Sequence, residues 1–297
     1  MQHIGFIGAS GLMGHGMARN LLTKGFQLSL TVHRNRDRVA DLLAAGAHEV
    51  AGAAELAGRC DAVILCVTGS PQVESCIDAL LGGARPGLIL IDTSTSEPDS
   101  TARLAARCAE HGVTLVDAPL ARTPVEAEQG RLNTMVGATP EVFARIEPVL
   151  KAYCENIFHV GGPGSGHVIK LLNNFVAQAI CTATAEAFAV GAKAGVDLRQ
   201  FVNVVSAGAV NSGLFQAMAK TLGGDFEGLK FELDNARKDL RYYTHLAEQV
   251  VVPSVVGEAV HQSLATASAL GQGKAFVPAL VTAQERLTGA CIAPPAH

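Results

Sequence analysis

Several features that would direct a chain elsewhere are missing here. There is no basic excess: 23 Lys and Arg stand against 27 Asp and Glu, for a net charge of −4. A nucleic-acid-binding surface needs the opposite balance, although a local basic cluster can still hold a small anion. Seven cysteines (Cys60, Cys66, Cys76, Cys108, Cys154, Cys181, Cys291) are widely spaced, with no CxxC. That excludes a zinc knuckle and a disulfide framework, and leaves small buried hydrophobes. Among His3, His15, His111, His159, His167 and His245 there is no HxxxH or HExxH pairing, so no metal site is expected. Apolar runs are broken within a dozen residues by Gly, Asn, Lys or Asp, short of a membrane span. The first strand begins at His3, which leaves no room for a signal peptide. No repeat or low-complexity tract occurs. The expectation is a soluble cytoplasmic protein whose 297 residues fill two domains.

What is present is an alternation. Segments 3–8, 28–33, 61–67, 88–94, 114–120, 132–137 and 156–161 are short apolar runs that read as strands. Their unbroken apolar character suits a sheet covered on both faces. Helical patterns such as 13–25 and 98–112 lie between them. Strand–helix alternation predicts an α/β domain with a doubly wound parallel sheet. The pattern changes at Gly161–Gly166. From His167 to about Ala194 one helix is expected, with Ile169, Leu172, Val176, Ile180 and Ala183 on a stripe, and further helices follow at 197–208, 211–221, 229–248, 253–269 and 275–288. The expected division is 1–162 for the α/β domain, 163–194 for an interdomain helix and 195–297 for an all-α domain. The terminal ACIAPPAH reads as a loose end.

The turn Gly8-Ala9-Ser10-Gly11-Leu12-Met13-Gly14 follows the first strand and opens a helix. Its glycines permit a tight turn, close approach of a pyrophosphate, and helix–strand packing. The helix N-terminus adds N–H groups and positive dipole. The spacing is GxxGxxG, one residue longer in its first gap than the usual pattern. At the end of the second strand stand His33, Arg34 and Arg36, with no acid before Asp37. An acid there holds a ribose 2′-OH, whereas Arg34 would attract a 2′-phosphate. NADP(H) is therefore expected in preference to NAD(H). Val67, Thr68 and Thr95 follow two further strands, where a cofactor would lie in an open α/β sheet. Ser94 and Ser96 read as turn and cap residues.

Lys170 and Asn174 are four residues apart on the long predicted helix and share a face. A lysine can deliver a proton to a reacting oxygen if burial or a second cation such as Lys238 tunes its acidity. Arg122 offers a planar fork to an anion and Thr123 one more hydrogen bond. Asn211, Ser212 and Gly213 are weaker candidates for substrate contact.

Four motifs in order carry a resemblance that runs nearly end to end: GFIGASGLMGHGMARNLL, DTSTSEP (92–98), DAPLARTPVEAEQGRL (117–132) and GPGSGHVIKLLNN (162–174), with a later ARKDLRYY (236–243). The chain resembles the β-hydroxyacid dehydrogenases, the 3-hydroxyisobutyrate, tartronate-semialdehyde and glyoxylate/succinic-semialdehyde reductase group. The resemblance implies an N-terminal Rossmann domain, and a C-terminal domain like that of 6-phosphogluconate dehydrogenase. It implies Lys170 as the catalytic lysine and Asn174 as a substrate-orienting asparagine. Lys238 then lies near cofactor and substrate, Phe231 closes over the site, and Thr95 stands on the nicotinamide side. One motif departs: where the family carries Asp-Ala-Pro-Val-Ser-Gly-Gly, this chain has Asp117-Ala118-Pro119-Leu120-Ala121-Arg122-Thr123. That variant is similar to the sulfolactaldehyde reductase branch, which favours NADH and recognises a sulfonate through such a segment. The implied substrate is a small anionic aldehyde or hydroxyacid bound at Ala121, Arg122, Thr123, Lys170, Asn174 and Lys238, and the implied assembly is a homodimer or homotetramer. Two alternatives are an imine reductase and a non-catalytic NADPH-binding reader of chromatin. Both generally lack the lysine, so Lys170 counts against them.

Overall fold

The computed structural model describes residues 1–32 and 35–294. Two compact units divide the chain, Met1–Lys170 and Leu171–His297. The first unit opens with β1 (His3–Ile7), α1 (Gly14–Thr23), β2 (Gln27–Thr31), α2 (Ala40–Ala44), β3 (His48–Glu49) and α3 (Ala53–Arg59). It continues through β4 (Ala62–Leu65), α4 (Ser70–Leu81), β5 (Ile89–Asp92), α5 (Pro98–Glu110), β6 (Thr114–Asp117) and β7 (Leu120–Ala121). Then come α6 (Pro124–Glu128), β8 (Leu132–Gly137), α7 (Pro140–Leu150), β9 (Cys154–Gly161) and the long α8 (Ser165–Lys193), whose later part belongs to the second unit. That unit adds α9 (Leu198–Ser206), α10 (Gly213–Ala219), α11 (Leu233–Gln249), α12 (Val255–Ala267) and α13 (Leu280–Thr288).

The sheet runs β3-β2-β1-β4-β5-β6-β8-β7, with β9 on β8. β3, β2, β1, β4, β5 and β6 are all parallel, as the alternation predicts. Beyond β6 the expectation of a parallel sheet needs amending, because β8 runs antiparallel to β6 and to β7. Residues 122–131, ten in all, separate β7 from its neighbour β8, and a parallel return needs a crossover of a dozen residues or more. The continuous apolar runs split by residue parity. Ala62, Ile64, Ile89 and Ile91 join the core on one face, whereas Val63, Leu65, Leu88 and Leu90 join the core on the other. Each buried Val, Leu or Ile among them contributes about 1.5–3 kcal/mol by leaving water.

α1 is tied laterally through His15. Its Nδ1 lies 2.7 Å from Glu128 Oε1 on α6, and its Nε2 lies 3.0 Å from Asp41 Oδ2 on α2. Partial burial opposes charge on this ring, but hydrogen bonds to Glu128 and Asp41 outweigh it, so its pKa is raised above the ordinary 6.5. A raised folded-state value stabilises fully below 6.5, and the contribution is lost as pH climbs through the folded value. Thermal stability measured from pH 6 to 9 is therefore expected to decline in a step above pH 6.5 that His15→Asn removes. An unchanged pH profile in that variant would refute the assignment.

The second unit is helical, and strand pairing among its described residues is limited to one isolated bridge, Glu232 with Phe276. α11 starts at Leu233 rather than near 229 because residues before it make that bridge. Its core gathers Phe188, Met218, Leu233, Leu240, Leu264 and Val281. Of the expected loose end, residues 290–293 are held: Ala290 and Ile292 are buried in this core, and Glu285 Oε1 accepts from Ile292 and Ala293 N–H; residues 295–297 lie outside the described residues. α8 is, by length and composition, long and apolar enough to cross a bilayer, which the interrupted runs of the sequence do not predict. It also carries His167, Lys170, Asn174 and Gln178, and Leu171, Cys181 and Phe188 on it are fully buried. The predicted stripe faces outward, with Leu172 and Val176 exposed. Burial pushes the thiols of Cys60 and Cys108 up to about 11, which makes both poor nucleophiles.

Candidate active site

Gly8 follows β1 with φ +100°, a region open to glycine. A Cβ there would collide with the Cys66 carbonyl at the end of β4, and one at Gly14 would collide with the Gly8 carbonyl oxygen. Gly11 N–H donates to Gly8 O at 2.9 Å and closes the turn. Ala9 is fully buried, Leu12 projects outward, and α1 begins at Gly14 after Met13. The amides of this first turn have no partners within the helix. The longer first gap is thus accommodated, and the turn sits where strand order reverses between β1 and β4, the binding crevice of such sheets. These residues fit a pyrophosphate: Gly8, Gly11 and Gly14 bring no Cβ to the turn, and a helix N-terminus follows it.

Neighbouring strand ends are bound to each other. Val67 N–H donates to Ser94 Oγ at 3.0 Å, Ser94 N–H to Asp92 Oδ1 at 2.9 Å, and Ser96 Oγ to Asp92 Oδ2 at 3.0 Å. Ser94 and Ser96 are turn residues, as expected, although neither caps α5. Thr95 is half-buried between them and Thr68 is exposed. His33 and Arg34, on which the cofactor preference rests, lie outside the described residues. Arg36 beside them pairs with Glu49 at 2.7 Å.

Ala121 ends β7, and Arg122 follows with φ +82°. Its guanidinium donates to Glu155 and, at 2.5 Å, to Arg131 O. Hydrogen bonding to Arg122 holds the Glu155 carboxyl below the usual range. Thr123 is the N-cap of α6, in a capping box with Glu126. Both residues expected to recognise an anion are thus bonded within the protein, Arg122 through its Nη1.

Lys170 is half-buried on α8, and Asn174 one turn on is buried. In the second unit, Asn174 Nδ2 donates to Asp239 Oδ2 at 2.6 Å, and Lys238 Nζ lies 2.8 Å from Asp239 Oδ1. The carboxylate can only accept, so Asn174 must present its nitrogen to Asp239. Lys238 also stands 4.9 Å from the Tyr242 ring centre. Asn174 and Lys238 are thus brought together by Asp239, a residue the sequence reading passed over. The signal was its place directly after Lys238 on an α11 turn where Leu233, Ala236 and Leu240 mark the buried face. Phe231 precedes α11 and packs on the helical core. Asn211 Nδ2 donates to Ser206 O at the end of α9, and Ser212 caps α10, its Oγ accepting from Phe215 N–H.

Residues 3–161 match the family model of the NAD-binding domain of 6-phosphogluconate dehydrogenase, and residues 164–283 match that of NADP-dependent 3-hydroxyisobutyrate dehydrogenase. The chain is 30% identical to 2-(hydroxymethyl)glutarate dehydrogenase of Eubacterium barkeri, with 97% of each covered. It is 32% identical to 3-sulfolactaldehyde reductase of Escherichia coli over 92% of this chain and 93% of that one. The solved 3-hydroxyisobutyrate dehydrogenase of Salmonella typhimurium superposes with a TM-score of 0.83 at 30% identity, covering 95% of this chain and 99% of its own. The glycine turn, the lysine-bearing helix and these end-to-end matches agree: the chain belongs to the β-hydroxyacid dehydrogenase family and is an NAD(P)-dependent oxidoreductase.

Proposed function

We propose that this enzyme reduces a small carboxylate- or sulfonate-bearing aldehyde to its hydroxyacid, or runs the reverse, with NADP(H) preferred over NAD(H). Lys170 is its acid–base group. The observation that carries this is Lys170, half-buried one helical turn before an asparagine whose amide is fixed by a buried carboxylate. The nicotinamide supplies or takes up the hydride. The residues that would hold the cofactor are the turn from Gly8 to Gly14, Val67, Thr68 and Thr95, with Arg34 for the 2′-phosphate; Phe231 and Lys238 are cofactor residues by the family resemblance. Lys170 gives its proton to the carbonyl oxygen as that oxygen gains charge, and recovers it in the oxidative direction. Asn174 keeps a second amide hydrogen after serving Asp239, and that hydrogen orients the same oxygen. The test is nicotinamide oxidation over succinic semialdehyde, glyoxylate, tartronate semialdehyde, methylmalonate semialdehyde and sulfolactaldehyde, with NADPH and NADH. Activity confined to cyclic imines would sink the reaction class, and a clear NADH preference would sink the role of Arg34.

Arg122 with Thr123 and Ala121 forms the anion seat. A charge-assisted bond contributes about 1.5–3 kcal/mol, so Arg122→Ala is expected to raise KM for an acidic aldehyde about tenfold with kcat little changed. The lower end applies because Glu155 competes for the fork. An equal change toward an uncharged aldehyde would remove Arg122 from recognition.

The outward apolar stripe of α8 (Leu172, Val176, Val190) supports a homodimer or homotetramer, since a stripe of this kind is costly to leave in water. Val176→Glu is expected to lower the molecular mass measured by light scattering; an unaltered oligomer would place the interface elsewhere.

A further inference from the structure

We infer that Asp117 is a positioning residue, one that sets the place of Lys170 by anchoring the first turn of α8 to the end of the sheet. The inference rests on Lys170 as the acid–base group. Asp117 ends β6 and is fully buried. Its neighbour in register on β5 is Asp92, buried to 1% exposure. Two carboxylates side by side in a core repel unless each is answered by its own donors. Asp92 is answered by Ser94 N–H and Ser96 Oγ. Asp117 is answered by the N-terminus of α8: Gly164 N–H donates to Oδ1 at 2.7 Å and His167 N–H to Oδ2 at 3.0 Å. A carboxylate at a helix N-terminus is favoured by the unpaired amides and by the dipole. Here the cap comes from a strand rather than from the residue preceding the helix, so it fixes the helix to the sheet as well as ending it.

The His167 ring supplies the second attachment. Its Nδ1 lies 2.8 Å from Thr101 Oγ1 on α5 and its Nε2 lies 3.6 Å from Asp92 Oδ2, with no side-chain exposure. Thr101 Oγ1 is also 3.1 Å from Glu97 O, so the hydroxyl links the His167 ring to the α5 backbone. Backbone to β6 and ring to α5 hold this turn against both sliding and rotation. Lys170 follows His167 by one turn. Glycines make the approach possible: a Cβ at Gly137 would stand 2.5 Å from Asp117 Oδ1, and one at Gly166 would stand 2.8 Å from Oδ2. The same strand ends carry the glycine turn, Val67 and Thr95, so all these parts share one rigid reference.

A displacement of about 1 Å at a reacting group can cost about 100-fold in rate. Asp117→Asn turns an acceptor atom into an N–H that faces an N–H. It is expected to lower kcat about 10- to 100-fold while KM for aldehyde and Kd for NADPH stay within about twofold. Amides 164–168 should exchange faster with solvent deuterium. Thr101→Val, which removes the hydroxyl under His167, should lower kcat about 3- to 10-fold, and Thr101→Ser should restore it. Lys170→Ala is assayed alongside. Unchanged kcat in Asp117→Asn and Thr101→Val, with Lys170→Ala inactive, overturns the positioning role and leaves the acid–base reading standing. Activity retained in Lys170→Ala overturns both. Parallel loss of kcat and NADPH affinity marks a merely structural role and also overturns the inference. If Asp117→Asn does not fold, equal kcat in Thr101→Val and Thr101→Ser overturns it.

Discussion

Lys170→Ala is expected to lower kcat about 10³-fold and leave NADPH affinity unchanged. Acid–base catalysis by a positioned side chain accounts for about 10²- to 10⁴-fold, or roughly 3–5 kcal/mol of barrier. The upper half of that range applies because reduction places charge on one oxygen, and α8 offers it one ammonium and one amide. Alanine is a good helix former and Lys170 is half-buried, so the truncation leaves little cavity and the fold should persist. Lys170→Arg separates charge from proton transfer, because a guanidinium stays protonated near neutrality. It should bind an acidic aldehyde at least as well as alanine does, yet remain slow. Pre-steady-state hydride transfer in both variants, followed by loss of NADPH absorbance, is the measurement. A Lys170→Arg enzyme within tenfold of the wild type would mean that the side chain acts by charge alone.

Why these parts were unequally legible is a matter of range. The strands of the parallel region follow from unbroken apolar runs, because a strand buried on both faces needs no polar alternation. The glycine turn follows from spacing, and Gly8 has the positive φ, +100°, that a tight turn needs. β3 and β7, at two residues each, left no periodicity to read, and the antiparallel course of β8 depends on a partner that no local window contains. Long-range polar contacts were hidden for the same reason. Asp117 sat within a recognised motif, but its partners are Gly164 and His167, about fifty residues away. His167 looked like an ordinary helix-start histidine, yet it is one of the most buried polar groups in the chain. Arg122 looked available because a sequence cannot display Glu155 across a sheet from it. Resemblance pointed to Lys170, Asn174 and Lys238, whereas geometry added the carboxylate that joins two of them.

Gly14→Ala is expected to weaken NADPH binding at least about 100-fold, a change of about 2.7 kcal/mol. The added carbon would collide with the Gly8 carbonyl oxygen and lie 3.0 Å from the Gly8 carbonyl carbon and 3.2 Å from the Phe6 ring. None of these neighbours can yield. The Gly8 oxygen accepts Gly11 N–H at 2.9 Å, Gly8 is confined at φ +100°, and Phe6 is fully buried in the β1 core. Relief therefore requires α1 to lift away from β1, which moves the helix N-terminus off the phosphate position. Gly213→Ala is the matched control: its added carbon meets nothing within 4 Å, and it opens α10, where alanine is favoured over glycine. The chain contains no tryptophan, so enhancement of NADPH fluorescence reads binding without protein background. A Gly14→Ala protein that binds NADPH within threefold of the wild type would show that the turn is structural and that the phosphates are held elsewhere. Because the strain acts on the helix start rather than on Lys170, saturating NADPH should restore much of the lost kcat, a recovery that Lys170→Ala cannot show.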